Sequence, residues 1–483
     1  MSLLYFFYHF AILLGVKMKK PYKYVENIKN NPKKIYYFIG IGGVGMSSLA
    51  FFLLNKGHTV YGSDLEQSVF TKNLIESGAK IFLKHCKSNI PQNVDYCIVN
   101  SAIDQTNEEL EEFKQRGTKI LTRGELLGLV LNGFKNSVAV AGCHGKTTTT
   151  AFLYQTLLSC GKVSDLFLGG LYKNNNYYVG DGEIAVAEAC EYKSSFLALS
   201  PQISVILNVD HDHVDCFKTL DDVRQAFCKF AQNTQKDGVV ITEKSVADFL
   251  GNKNINAKIL SFAIKGNKND CDYFADNLKS VNGRFEFDLY ERGLFVGRVR
   301  LNAVGEHLVL SALATYAVAR FLGVETRSII EKLKHFTGVE RRWQKFESNF
   351  TNVIADYAHH PTEIKNLIQT SSYMGYKKIY VLFQPHTYSR TKGLLSEFAT
   401  CFCGAEKVVV LPVFSARENP VAGGDSTDLV KSVSQHTPCV FAKNFDDAKT
   451  FLSQARINDL LLVVGAGDVI KFCRPQYLNI EKE

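Results

Sequence analysis

Short apolar runs recur along the chain, each closed by glycines or polar residues and followed by a stretch of helical length. The first is IYYFIGI, from Ile35, a pattern that predicts a buried strand. GGVG then makes a turn, and MSSLAFFLLNKG has helical length and ends on Gly57, a C-cap residue type. TVYGSD predicts a second strand, so the segment reads as a βαβ start, and KIFL, YCIVNSA (Tyr96–Ala102) and KILTRGELLGLVL continue the alternation. A second series opens with SVAVA (Ser137–Ala141) and the helical segment TTTAFLYQTLL. It runs on through EIAVAE and ISVILNVD, whose β-branched cores predict parallel strands buried on both faces. Between 239 and 303 the pattern shortens into GVVITE, KILSFAI, DYFADNL and GRFEFDLYERGLFVGRVRLN, which predicts an antiparallel side sheet. GEHLVLSALATYAVARFLGV then reads as one long helix. Beyond FTGVERRWQKFE, strand–turn–helix units return in NVIADYAHHPTEIKNLIQTSSYMG, KIYVLFQPHTYSRTKGLLSEFATCF, KVVVLPVFSARENP and LLLVVGAGDVIKFC.

The pattern defines an α/β chain, and its 483 residues at about 150 per domain correspond to three domains. The expected divisions are 33–132, a Rossmann-like domain; 133–338, a parallel sheet like that of phosphate-loop ATPases, with the side sheet; and 339–483, a second Rossmann-like domain. Residues 1–32 are set apart as a leader of doubtful status. Leu3 to Val16 is too short for a membrane span and lacks a basic segment before it, and Met18 opens MKKPYKYV like a natural start. Residues 1–17 are therefore read as an over-extended start or a disordered tag, with an N-terminal membrane anchor as the alternative.

Composition narrows the function more than the fold. The chain is 46% apolar and 22% charged, with a net charge of +8 dispersed along its length. A nucleic-acid binder would concentrate that charge, so a weakly basic enzyme acting on anionic small molecules fits better. The 12 cysteines form no C-x-x-C pair, which argues against a thiolate zinc site or a secreted disulfide framework and for a reducing, cytoplasmic setting. No stable membrane association is expected, and the anticipated state is a monomer or a weak homodimer.

Chemistry gathers where predicted strands end. GCHGKTTTT (Gly142–Thr150) follows SVAVA and precedes a helix. Gly142, Cys143, His144 and Gly145 would form a phosphate-binding loop, with Lys146 as its point charge and Thr147 and Thr148 opening the helix. The usual loop, G-x-x-x-x-G-K-[ST], has a glycine where Val140 stands. Glu188 and Glu191 lie just past EIAVAE, and Asn208, Asp210, Asp212, His213 and Asp215 at or past ISVILNV. In an open α/β sheet such strand ends converge on one site. Gly40-x-Gly42-x-x-Gly45, with Asp64 after the second strand, would set a diphosphate on a helix N-terminus, and read by itself it points to NAD. The turns of the third series carry Asp356, His359 and His360, then His386 and Arg390, then Arg417 and Glu418, then Asp468.

FIGIGGVGMSSLA, GCHGKTTTT, EACEYKSSF, LNVDHDHVD, GVERRWQ, DYAHHPTEI, FQPHTYSRT and VVGAGD follow one another in an order that resembles the Mur ligase family, from roughly Lys33 to Asp468. The resemblance accounts for Val140, because the family's loop, G-T-x-G-K-T-[TS], lacks the earlier glycine; Cys143 stands where threonine is usual. It implies a cytoplasmic ligase of peptidoglycan precursor synthesis. ATP would phosphorylate the lactyl carboxylate of UDP-N-acetylmuramate, and the amine of L-alanine would attack the acyl phosphate. A ligase that attaches a tripeptide to the same UDP-sugar is the alternative, and an NAD-dependent oxidoreductase a more distant one.

By the same resemblance Lys146 would sit on the β and γ phosphates. Thr147, Glu188 and His213 would hold Mg²⁺, and Asn208 would lie near substrate. Arg342 or its neighbour Arg341 would reach phosphate oxygens, Asp356 would bind the ATP ribose, and His307 would open the adenine-side helix. Gly40, Gly42, Gly43, Gly45, Ser63 and Asp64 would receive UDP rather than NAD. His359, His360, His386 and Arg390 would close over the substrates, Arg390 being suited to a bidentate grip on the alanine carboxylate. In that helix Leu308 and Ser311 replace two family asparagines, and Thr387 stands where some members carry arginine. Each residue also has a plainer reading. Glu188 could serve a structural salt bridge, His213 could be a core histidine, Asp468 could cap a helix, and adjacent side chains such as His359 and His360 diverge. Trp343 reads as packing at the domain junction.

Overall fold

A computed structural model describes residues 33–479 except Asp181 and Asn252, and the leader assigned to 1–32 lies outside the described residues. Three sheets carry the fold. In the first, β1 (Ile35–Ile39), β2 (Thr59–Ser63), β3 (Lys80–Phe82), β4 (Tyr96–Val99) and β5 (Lys119–Thr122) lie parallel in the order β3-β2-β1-β4-β5. That order reverses direction at β1, so the crevice beyond the carboxyl ends of β1 and β4 is where a doubly wound sheet takes its ligand.

The central sheet has ten strands: β6 (Asn136–Ala141), β7 (Ser164–Tyr172), β8 (Asn175–Tyr178), β9 (Ile184–Glu188), β10 (Ile203–Ile206), β11 (Val239–Glu243), β12 (Lys258–Ala263), β13 (Tyr273–Val281), β14 (Arg284–Glu291) and β15 (Leu294–Val304). They are ordered β15-β14-β13-β12-β11-β10-β6-β9-β7-β8. From β7 through β12 neighbours pair in parallel, and β6 and β10, at the middle, are almost entirely buried. Of the segments expected to make an antiparallel side sheet, GVVITE and KILSFAI instead extend the parallel sheet as β11 and β12, and the antiparallel part is β13-β14-β15. It joins the parallel sheet edge to edge, through Phe262 opposite Tyr273, and so covers the open edge of β12. The hairpin β7–β8, which covers the opposite flank, has no counterpart in the sequence reading.

The third sheet, β16 (Gln344–Phe346), β17 (Asn352–Asp356), β18 (Ile379–Phe383), β19 (Lys407–Val410), β20 (Cys439–Phe441) and β21 (Leu460–Val464), runs β16-β17-β21-β18-β19-β20. Its β18 (IYVLF) and β21 (LLLVV) are fully buried, as apolar runs between two helical layers should be. All twelve cysteines are free thiols, and among the described residues no helix is long and apolar enough to cross a membrane.

The domains are joined in different ways. The first and central domains share one apolar core. In it Phe52, from the helix Val44–Asn55, meets Phe167 of β7 at 5.5 Å and Tyr177 of β8 at 6.2 Å between ring centroids. Asn176 seals that seam by donating from Nδ2 to the Val44 carbonyl (2.6 Å) and to Ser47 Oγ (2.8 Å). The third domain instead has separate cores on the two faces of its own sheet; among the described residues Val214 of the central domain packs against one of them, and Phe285 of β14 meets Tyr373 edge-on at 6.4 Å between ring centroids. It is docked chiefly by polar contacts.

The seam between the first and central domains should not tolerate added volume. A Cβ on Gly128 would lie 2.5 Å from the Ala198 carbonyl oxygen, a backbone atom that cannot swing away. Gly128→Ala is expected to lower the urea unfolding midpoint by the equivalent of about 1–3 kcal/mol, the usual cost of overpacking. An unchanged midpoint would show that the seam yields freely.

Candidate active site

The phosphate loop leaves β6 at Ala141 in a shape that side chains resist. Gly142 has φ +144° and Gly145 φ +80°, and a Cβ on Gly142 would stand 3.0 Å from Cβ of Leu207. Gly145 is the left-handed N-cap of the helix Lys146–Ser159, whose first-turn amides and dipole make a site for an anion. Lys146 Nζ donates to the carbonyls of Gly142 (2.7 Å) and Cys143 (3.2 Å) and to Glu191 Oε1 (2.9 Å). Burial disfavours its charge, but Glu191 and neighbouring acids outweigh burial and hold the ammonium protonated. Thr147 Oγ1 donates to Glu188 Oε2 at 2.9 Å, and the same oxygen accepts the Gly169 amide at 2.9 Å. Thr149 donates to Ser311 Oγ at 2.9 Å in a buried bond, so Ser311 ties the phosphate-loop helix to the helix His307–Phe321.

Glu191 was read in the sequence only as one of two acids past a strand, and the structure puts it at the centre. It is 1% exposed and lies between Lys146 and His213, whose Nε2 is 3.1 Å from Glu191 Oε1. Burial opposes its charge, and the Lys146 ammonium with the hydrogen bond to the His213 ring overcomes that to keep the carboxylate ionised. His213 is therefore turned toward Glu191, while Glu188 is turned toward Thr147. Its φ of +53° marks a strained backbone of the kind retained at working sites.

The segment after β10 touches everything around it. Asn208 accepts the His144 amide at Oδ1 (2.9 Å) and donates from Nδ2 to the His144 carbonyl (3.0 Å), so it clamps the phosphate loop. Asp210 Oδ2 lies 3.0 Å from His144 Nε2 and accepts a hydrogen bond from Thr362 Oγ1 (2.8 Å). The His211 carbonyl lies 3.2 Å from His360 Nε2. Asp212 pairs with Arg390 through Nε (3.0 Å) and Nη2 (2.9 Å), both groups being nearly inaccessible at 3% and 6% exposure. These contacts correct one expectation. Asp212 Oδ1 occupies the Nε–Nη2 edge of the guanidinium and His386 Nδ1 lies against Nη1, so in this arrangement Arg390 joins two domains rather than presenting a free fork to alanine.

The paired histidines diverge as adjacent side chains must. His359 meets His386 at 5.7 Å, and His386 Nδ1 lies 3.0 Å from Arg390 Nη1. Burial and the Arg390 charge lower His359 to about 3 and His386 to about 4, so both rings are neutral. His360 turns the other way and meets the His144 ring at 4.7 Å. The paired arginines separate too. Arg342 lines the cleft, 3.9 Å from Asp356 Oδ1 and 3.7 Å from Glu363 Oε1. Arg341 does not face the cleft: Nη2 donates to the carbonyls of Gly465 (2.9 Å) and Gly467 (3.0 Å), so its assignment to phosphate is corrected to a brace inside the third domain. Trp343 packs against the third domain's core and also lines the cleft, and Asp468 forms an ion pair with Lys471 at 2.9 Å.

Between the central and third domains lies a cleft of about 540 Å³. Its floor is phosphate loop (His144, Gly145, Thr148), one wall is His307, Leu308 and Ser311, and Arg342 and Asp356 face them. Burial and Arg342 lower His307 to about 4, so it too is neutral. Asp356 accepts the amides of Trp343 (2.9 Å) and Ala358 (2.8 Å), one on each oxygen.

In the first domain the glycine turn closes as its spacing implied. Gly43 precedes the helix Val44–Asn55, and Asp64 Oδ2 accepts the Gly42 amide at 2.7 Å; a Cβ on Gly42 would lie 2.9 Å from that oxygen. Ser63 is a correction, since it is fully buried and its hydroxyl donates to buried Glu109 at 2.5 Å, with His85 Nδ1 2.8 Å away. Arg123 went unnoticed in the sequence. Its side chain covers the glycine turn, 3.0 Å from where a Gly45 Cβ would stand, and donates to Ser195 Oγ at 2.6 Å. It follows β5 immediately, so the strand-end rule that picked out the other residues would have found it.

A phosphate loop on a parallel sheet, flanked by two Rossmann-like domains whose polar strand ends face it, defines a nucleotide-dependent ligase of the Mur type. The chain belongs to the Mur ligase family: the family's catalytic domain matches residues 35–135, its middle domain 140–319 and its glutamate ligase domain 341–467. It is 38% identical to the UDP-N-acetylmuramate–L-alanine ligase of Clostridium beijerinckii over 92% of this chain and 97% of that protein. It is 39% identical to the same-named enzyme of Caldicellulosiruptor bescii, over 90% and 96%. The crystal structure of the UDP-N-acetylmuramate–alanine ligase of Thermotoga maritima superposes with a TM-score of 0.74 at 30% identity, covering 92% of this chain and 98% of that one. A murein peptide ligase from Psychrobacter arcticus, at 21% identity and TM-score 0.68 over 90% and 96%, shares the fold.

The contact between phosphate loop and third domain should depend on pH. Burial alone would lower His144, but Asp210 and Glu363 overcome it and raise the imidazole from 6.5 to about 9. A raised folded-state value means that the stabilisation is complete below about pH 6.5 and is lost as pH rises through about 9. The thermal midpoint should therefore fall between pH 7 and 9.5 in the native chain, with a shallower fall in His144→Gln. Parallel curves for the two proteins would refute the coupling.

Proposed function

We propose that this chain joins L-alanine to the lactyl carboxylate of UDP-N-acetylmuramate at the expense of ATP, releasing ADP and phosphate. The observation that carries the reading is the meeting of Lys146, Thr147–Glu188 and Glu191–His213 at the ends of β6, β9 and β10 beside the interdomain cleft, in a chain that aligns with alanine ligases over nearly its whole length. The relatives at 38–39% identity are named for alanine, whereas the murein peptide ligases stand at 21–23% and speak only to the fold.

Carboxylate oxygen attacks the γ phosphorus of ATP, ADP departs, and the carbonyl carbon of the acyl phosphate then takes the alanine nitrogen as phosphate leaves and the amine loses a proton. The protein's contribution is positioning and charge neutralisation. The cleft receives ATP with its phosphates over the loop amides and Lys146, Arg342 facing them from the third domain, Asp356 at the ribose and His307 with Leu308 beside the base. Thr147 and Glu188 are hard oxygen donors held side by side and fit Mg²⁺, with His213 as a further ligand on reorientation; the ion would offset phosphate charge. UDP lies on the glycine turn of the first domain under Arg123. Neutral His359 and His386, beside Arg390, form the amino-acid end of the site, with Arg390 as a positioning residue. All these groups come from one chain, which is in keeping with a monomer or a weak homodimer, and a UDP-sugar substrate accords with a cytoplasmic reaction.

Phosphate release with ATP, Mg²⁺ and UDP-N-acetylmuramate should require L-alanine, with glycine and L-serine poorer and the tripeptide inactive. Lys146→Ala should lower kcat by about 10²–10³-fold, the scale of losing one preorganised charge contact. Turnover with tripeptide alone would transfer the chain to the recycling reaction.

A further inference from the structure

The contact between the phosphate loop and the third domain has the donor set of a transition-metal site. His144, Asp210 and His360 each bring one ligand atom within 4.8 Å of the others. Three partners come from three separate segments: the phosphate loop, the loop after β10, and the N-cap of the helix Pro361–Ser372.

The orientation of the two imidazoles is the second, independent observation. His144 turns Nε2 inward to Asp210 Oδ2 at 3.0 Å and presents Nδ1 outward to Glu363 Oε1 at 3.5 Å. His360 turns Nδ1 inward, 3.8 Å from the same Asp210 oxygen, and presents Nε2 outward to the His211 carbonyl at 3.2 Å. Metal-binding histidines are held in this way, with one nitrogen toward the ion and the other fixed by a carboxylate or a backbone carbonyl. With Nε2–H given to His211, His360 Nδ1 carries a lone pair that faces a carboxylate. An ion there would take both as donors, together with His144 Nε2 once its proton is lost. The Thr362 amide now shares this lone pair at 3.3 Å, and the Thr362 hydroxyl shares Asp210 at 2.8 Å, so the ion would displace two capping contacts.

We propose that His144, Asp210 and His360 bind a Zn²⁺-class ion, which fastens the third domain to the phosphate loop. Two imidazoles and one carboxylate with a position left for water suit zinc, whereas Mg²⁺ prefers oxygen donors throughout. Ligands about 2.0–2.2 Å from a tetrahedral ion lie about 3.5 Å apart, so modest side-chain contraction closes the site. If the reaction is the one proposed above, zinc inhibits it by holding the loop and the domain in one arrangement; binding itself does not rest on that reading.

The test is titration of the full chain with zinc chloride by calorimetry, without nucleotide and with Mg²⁺ in excess. One equivalent should bind, and Asp210→Asn and His360→Gln should each weaken it by about 10-fold or more, with circular dichroism confirming folded variants. Unchanged affinity in both folded variants would overturn the proposal. X-ray absorption on the zinc-loaded native chain needs no variant: it should show a nitrogen–oxygen shell at about 2.0–2.1 Å, and a sulfur shell at about 2.3 Å would place the ion on thiols and overturn the assignment.

Discussion

The hold that the loop after β10 exerts on its two neighbours is the constraint on which the site depends. Asn208 fixes both the amide and the carbonyl of His144, which sets the path of the phosphate loop. A few residues on, Asp210, the His211 carbonyl and Asp212 engage Thr362, His360 and Arg390 of the third domain. One short segment thus decides where the loop amides point and where the far wall of the cleft stands. β10 lies next to β6 in the sheet, with Val205 opposite Val140, which is why a residue just past β10 can reach the turn just past β6.

The same region concentrates buried charge. Taking Lys146, Glu191, Asp212 and Arg390 out of water is costly, and removing one partner of such a pair leaves the other uncompensated, at about 3–5 kcal/mol. Buried ion pairs are poor sources of net stability, so their clustering here serves position rather than adhesion. The contrast between the seams fits this. The first domain is fused to the central domain through a shared apolar core, which favours one arrangement. The third is docked chiefly through ion pairs and hydrogen bonds, with apolar contacts at Val214 and at Phe285–Tyr373, and such an interface can open and reclose at small net cost.

Much of this was legible in the sequence because buried parallel strands and their polar ends leave local marks. IYYFI, NSVAVA, ISVI and LLLVV each became a strand, and the chemistry stood at their carboxyl ends. The lapses arose where the deciding contact is distant in sequence. Nothing near Arg341 and Arg342 tells which guanidinium turns into the cleft, since the carbonyls that claim Arg341 belong to Gly465 and Gly467. Ser63 ends a strand like a ligand-binding residue, but Glu109, 46 positions away, claims its hydroxyl. Arg390 has the chemistry for a carboxylate, and Asp212 supplies one from another domain. Glu191 owes its place to Lys146 and His213 together, a convergence that exists only in the folded chain.

Direct coupling through the β10 loop can be measured by a double-mutant cycle on ATP affinity, with Asn208→Ala at the phosphate loop and Arg390→Met in the third domain. Arg390 does not line the interdomain cleft, and its bonds to Asp212 join it to the loop after β10. The account requires that Arg390→Met weaken ATP binding and that the two substitutions interact by at least about 0.5–1 kcal/mol. Effects that add within about 0.3 kcal/mol, or ATP affinity indifferent to Arg390, would show that the two halves of the site are held independently and would contradict it.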